Sequence, residues 1–98
     1  MTQTSVPMSP RMEAANRAAR QFSIKTDIPV AVADSTKPEI DCCIYVTGYA
    51  LTVYTDGTMQ TDRVIPGRGL IPDSERRRCS DDFEYFVWRW LHTHTGNP

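Results

Sequence analysis

IDCCIYVTGYALTVYTDGTMQTDRVI, residues 40–65, decides the fold, because it carries the one long period-two alternation in the chain. Ile40, Cys42, Ile44 and Val46 alternate with Asp41, Cys43 and Tyr45, and successive side chains of a strand leave it on opposite faces. Thr47-Gly48 separates this run from a second strand, Tyr49 to Tyr54. A short loop there sets Val46 opposite Tyr49, Ile44 opposite Leu51 and Cys42 opposite Val53, which keeps like side chains on like faces. A two-residue turn needs Thr47 at positive φ, which a β-branched residue resists, and a four-residue loop in the same register is the equal alternative. At Asp56-Gly57 a two-residue turn would set polar residues on the core side. A three-residue loop with a glycine bulge instead places Val53 opposite Met59, Leu51 opposite Thr61 and Tyr49 opposite Arg63. The third strand, Thr58 to Ile65, is polar enough to read as an edge.

Downstream, Pro66-Gly67-Arg68-Gly69 and Leu70-Ile71-Pro72 read as an irregular connection, and Asp73 to Arg78 as a helical turn capped by Asp73. A helix is expected from Ser80, with Asp81, Asp82 and Glu84 in a first turn that favours negative charge. Phe83, Phe86, Val87, Trp90 and Leu91 fall at i, i+3, i+4, i+7 and i+8, a wide apolar face for the oily side of the sheet. Upstream, Ser9-Pro10 starts a helix reaching about Gln21, with a narrow stripe of Met12, Ala15, Ala19 and Phe22. Ile28, Val30 and Val32 alternate with Pro29, Ala31 and Ala33 as a short strand, and residues 34–38 form a loop.

These elements define a two-layer α+β fold: an N-terminal helix, an antiparallel sheet of about four strands, and a C-terminal helix across one face. The chain has 98 residues, enough for one core, and divides into a flexible tail (1–8), a single domain (9–95) and a C-terminal tail (96–98). A formal charge of −1 gives no global basic excess of the kind a general nucleic-acid or membrane-surface binder carries. Three cysteines, with no apolar leader-like stretch after Met1, point to free thiols and a cytoplasmic setting. The longest apolar runs are too short to span a bilayer, so no membrane contact is expected.

Chemistry is carried by two constellations. Tyr85, Trp88 and His92 line up at i, i+3 and i+7 with Arg89 beside them, opposite the apolar face of the last helix. Aromatic residues with arginine are the composition of a protein contact; packing of Trp88 under the N-terminal helix is the competing interpretation. The second constellation is Arg68, Arg76, Arg77 and Arg78, which with Arg63 forms the basic concentration of the chain, diluted by Asp62, Asp73, Glu75, Asp81 and Asp82.

Neither a metal nor a cofactor is implied. His92-Thr93-His94 lacks the spacing partners of a zinc site, the Pro66–Gly69 segment lacks the lysine and hydroxyl of a P-loop, and no catalytic set of nucleophile, base and oxyanion donors is spaced along the chain. The expectation is a non-enzymatic protein-binding module, monomeric or homodimeric. Its partner-binding residues are Tyr85, Trp88, Arg89, His92, Arg68, Arg76, Arg77 and Arg78. The alternatives are a nucleic-acid binder using the Arg63 to Arg78 segment, and a small-ligand-binding domain or enzyme. Small chains with free cysteines, an arginine–aromatic surface and no active-site pattern resemble accessory proteins carried by phages and other mobile elements. That likeness implies steric inhibition of a host protein or ribonucleoprotein complex, including host defence machinery.

Overall fold

In the computed structural model, which describes residues 8–96, the 40–65 stretch is a three-stranded meander of β2 (Ile40–Val46), β3 (Tyr49–Tyr54) and β4 (Thr58–Ile65). The expected tails, 1–8 and 96–98, lie outside the described residues except for Met8 and Gly96. Pairing follows the expected register throughout: Val46 faces Tyr49, Ile44 faces Leu51, Cys42 faces Val53, then Val53 faces Met59, Leu51 faces Thr61 and Tyr49 faces Arg63. That register gathers Cys42, Ile44, Val46, Leu51, Val53 and Met59 on one face, and all of them are buried.

Ile40 departs from the expected alternation. A register shift between Ile40 and Cys42 marks a bulge at Asp41 and sets Ile40 opposite Tyr54, on the face away from the core. The bulge presents Asp41 to the Ser9 hydroxyl, which donates to Asp41 Oδ1 and accepts from the Met12 N–H at 3.1 Å. One serine thus caps a helix and ties it to the sheet.

Both turns are tight. Thr47 and Gly48 hold φ of 45° and 108°, the two-residue turn that a β-branched residue resists. The Thr47 hydroxyl donates to the His94 carbonyl at 3.3 Å, while the Gly48 carbonyl accepts from Val64 N–H at 2.9 Å. At the second turn Gly57 (φ 90°) donates to the Tyr54 carbonyl at 3.2 Å, the expected three-residue loop with its glycine bulge.

The sheet extends further than its sequence suggests. β1 (Ala31–Asp34) pairs with β2, while both β5 (Gly69–Pro72) and β6 (Arg77–Arg78) pair with β4, so β4 is interior rather than an edge. The strand order is β1-β2-β3-β4-β5, with β6 on β4 near its start. Residues 66–72 are therefore a turn followed by a strand: Arg68 N–H closes on the Ile65 carbonyl at 2.9 Å and the chain returns along β4. The helical turn expected over 73–78 is also replaced. Asp73 and Ser74 N–H both donate to the Thr61 carbonyl, and Ser74 Oγ accepts from Thr61 N–H at 3.1 Å, so the edge of β4 captures this segment. An available row of strand amides and carbonyls outweighs the weak local helix preference of six residues.

Two helices cover one sheet face. α1 (Pro10–Thr26) runs a turn past the expected Gln21, stopping only where Asp27 takes φ 62° and donates to the Ser23 carbonyl. It buries Ala14, Ala15, Ala18, Ala19 and Phe22, a broader stripe than expected, because small alanines let a second helix approach closely. That neighbour is α2 (Phe83–Thr95), capped by Asp82 rather than begun at Ser80; the Asp82 carboxylate accepts from Tyr85 N–H at 3.2 Å. Phe83, Val87, Trp90 and Leu91 are buried as the periodicity predicts, and Phe86 is half-buried. Fully burying each of the large core side chains contributes about 1.5–3 kcal/mol. Among the described residues no helix is long and apolar enough to cross a membrane.

Candidate protein-binding groove

Between α2 and the β4–β6 margin of the sheet runs an open groove of about 570 Å³. Leu51, Met59, Phe86 and Trp90 give it an apolar floor, and Tyr85, Arg89 and Arg77 stand along its rim. Trp90 is anchored there by its indole N–H, which donates to Thr61 Oγ1 at 3.0 Å. Tyr85 is 53% exposed, and the Arg89 guanidinium lies 6.0 Å from its ring centroid. Arg77 and Arg89 are both exposed, and among the described residues neither is in an ion pair. The opposite wall is the 73–80 segment, which the hydrogen bonds to Thr61 hold in place.

The remaining residues singled out in the sequence lie outside the groove, His94 excepted. Trp88 is half-buried: its ring stacks on Tyr85 at 6.3 Å, lies 4.1 Å from His92, and carries Lys25 Nζ at 5.2 Å. His92 is buried edge-on to Phe22 at 4.9 Å, and among the described residues neither of its ring nitrogens has a hydrogen-bond partner. Trp88 and His92 therefore belong to the contact between the two helices, and Tyr85 is where that contact meets the groove. His94 lines the groove and packs on Tyr49 and Trp90, with Nδ1 at 2.9 Å from the Trp90 carbonyl. No group of three or more His, Cys, Asp or Glu side chains converges as a metal set among the described residues.

The arginine run is divided among three surfaces. Arg76 lies on the uncovered sheet face, 3.5 Å from the Tyr54 ring centroid, donating to Thr58 Oγ1 at 2.8 Å and pairing with Asp56 at 3.1 Å. Hydrogen bonds from Thr58 first, and the Arg76 guanidinium after them, hold the Asp56 carboxyl below its ordinary range. Arg77 enters the groove. Arg78 lines a separate depression of about 660 Å³ with Arg11, Asp41, Cys79 and Asp82, where an Arg17–Glu84 bridge of 2.8 Å also sits. Arg68, in the turn after β4, is about 23 Å away along that strand.

The thiols are built for packing. Burial, with Asp41 and Cys43 adding to it, pushes the Cys42 thiol up to about 12, and burial likewise raises Cys79 against the opposing pull of Arg11. A thiol that holds its proton this firmly is a poor nucleophile.

The apolar floor escaped the sequence reading because Leu51, Met59, Phe86 and Trp90 are core residues by every periodicity argument. Leu51, Met59 and Trp90 are at most 5% exposed, and only half-buried Phe86 presents appreciable apolar surface between α2 and the 73–80 segment. Comparison of the chain with protein-family models, with curated proteins and with solved structures gives no match.

Proposed function

We propose that the protein is a non-enzymatic binding module that acts by occupying a partner's surface, and that the groove between α2 and β4–β6 receives the partner. One observation carries this reading: two arginines that form no ion pair among the described residues, and an exposed tyrosine, rim an apolar floor. The groove is the size of a pocket that admits a few side chains. Its charge and floor select the occupant, a protein segment in which an acidic residue stands beside an aromatic or branched aliphatic one. The apolar residue takes the floor, and the carboxylate takes the fork of Arg77 or Arg89. Nucleic acid is the weaker reading, because Arg68, Arg76 and Arg78 diverge from this groove instead of extending it as a basic track.

A photo-crosslinker placed at Thr93, an exposed residue of the groove, tests this against one at Gln21 on the exposed side of α1. In lysate of the native source, a nuclease-resistant protein adduct formed from Thr93, absent from Gln21 and lost in Arg77→Glu/Arg89→Glu is the expected result. Nucleic-acid adducts, or equal protein adducts from both positions, would overturn the reading.

A further inference from the structure

The helices cover one face of the sheet, and among the described residues no element covers the other. Register sets Tyr45, Ala50, Asp62 and Pro72 in one row across that open face, with Cys43 and Thr52 in the row beside it. The small side chains in the middle lie low between the tyrosines: Ala50 is 0% exposed and Thr52 2%. Asp62, a carboxylate, is only 5% exposed. Its Oδ2 accepts the Thr52 hydroxyl at 2.8 Å, but among the described residues Oδ1 has no donor and no cation pairs with it. With Oδ2 held by Thr52, Oδ1 is left facing the open side of the sheet, where a cation from outside can reach it. The sheet itself does not require the carboxylate, since Asn would fill the same space and accept the same hydroxyl.

The same face shows which group fits. Near the other end of the sheet a tyrosine, a carboxylate and a threonine hydroxyl, Tyr54, Asp56 and Thr58, hold a guanidinium, that of Arg76. Tyr45, Asp62 and Thr52 bring together the same three kinds of group with no guanidinium among them. Burial first, then Cys43 and Asp62, push the Tyr45 hydroxyl above its ordinary value, which keeps the ring neutral and its face available to a cation. Val64 and Leu70, opposite each other one step along the same face, are half-buried and 42% exposed, a surface for the methylenes of a long side chain.

We propose that this open face is a second binding site, separate from the groove, and that it takes an arginine side chain presented by a protein partner. The guanidinium lies over the Tyr45 ring and donates to Asp62 Oδ1, the arginine stem lies along Leu70, and Thr52 acts as a positioning residue by holding the other carboxylate oxygen.

The test is a titration of the isotopically labelled protein with a blocked tripeptide, acetyl-Gly-Arg-Gly-amide, followed through backbone amide shifts. Its lysine and citrulline counterparts are run beside it. Saturable shifts at Tyr45, Ala50, Asp62 and Leu70 are expected with arginine, weaker ones with lysine and none with citrulline, which keeps the shape and lacks the charge. Asp62→Asn should weaken arginine binding at least about tenfold, as loss of a charged partner does, while leaving the thermal midpoint unchanged or higher. Tyr45→Leu, which keeps Ala50 covered without an aromatic face, should weaken it several-fold. Absence of saturable shifts with the arginine peptide, equal binding of citrulline, or undiminished binding by Asp62→Asn would overturn the assignment. A lowered midpoint in Asp62→Asn would overturn it as well, by showing that the charge serves the fold.

Discussion

Replacing Thr61 with valine tests how the groove floor is held. Thr61 is 9% exposed and Trp90 5%, and the indole N–H has the Thr61 oxygen, at 3.0 Å, as its acceptor. Valine matches the shape of threonine and suits a strand at least as well, so packing and propensity predict no loss. The hydrogen bond predicts otherwise, because Thr61→Val leaves a buried N–H unpaired, at a cost of about 1–3 kcal/mol. In a chain of this size that lowers the thermal midpoint by on the order of 5–20 °C. Trp90→Phe removes the donor, so in that background Thr61→Val should be close to neutral, leaving a coupling of about 1–3 kcal/mol in the double-mutant cycle. Urea unfolding of the four proteins, followed by far-UV circular dichroism, supplies the comparison. Equal costs of Thr61→Val in both backgrounds, or a stabilised single mutant, would refute the argument that this bond fixes Trp90 in the floor.

The thiols give a pH dependence of definite sign. Unfolded Cys42 loses its proton above its ordinary 9.0, whereas the folded thiol keeps it to about 12, so the unfolded state binds fewer protons across that window and stability falls as pH rises. Urea midpoints measured from pH 8.5 to 10.5 should decline, and the decline should be shallower in Cys42→Ala. An unchanged slope would remove Cys42 from the explanation. In native protein at pH 8, half-buried Cys79 should label with iodoacetamide before buried Cys42 and Cys43, and mass spectrometry of the quenched protein reads the order. Thr47→Asn should raise the thermal midpoint, because asparagine tolerates φ 45° that costs threonine about 1 kcal/mol. A lower midpoint would mean that the Thr47 hydroxyl bond to the His94 carbonyl outweighs the strain.

The meander was legible because burial of one face leaves a single register that keeps Ile44, Leu51 and Val53 together, and a slip by one residue would reverse every side chain. The C-terminal helix was legible for a similar reason: Phe83, Val87, Trp90 and Leu91 are large and strictly periodic. What escaped was structure whose cause lies elsewhere in the chain. β5 and β6 exist because β4 offers unpaired backbone groups, and nothing within residues 69–78 announces this. The bulge at Asp41 answers to Ser9, thirty-two positions away. Alanines 14 and 18 carry too little hydrophobic signal to mark a helix contact, although both are buried in one.

The candidate site divides along the same line. Tyr85, Arg89 and Arg77 were named from the sequence and meet at one rim, while His92 and Trp88 turn toward α1, because helix periodicity gives the spacing of a face but not the identity of its neighbour. Arg76, Arg77 and Arg78 looked like one patch in sequence; alternation turns Arg77 away from its two neighbours, and Arg76 is drawn to Asp56 and Tyr54 while Arg78 lines the depression beside α1.

The most direct test of the groove is isothermal titration of the crosslinked partner, once purified, against wild type and Arg77→Glu/Arg89→Glu. Both arginines are exposed and, among the described residues, outside ion pairs, so the stability should stay within about 0.5 kcal/mol of wild type. The account predicts that Kd rises at least about a hundredfold, as expected when two charged hydrogen bonds are replaced by repulsion. An unchanged Kd in the folded double mutant would contradict it.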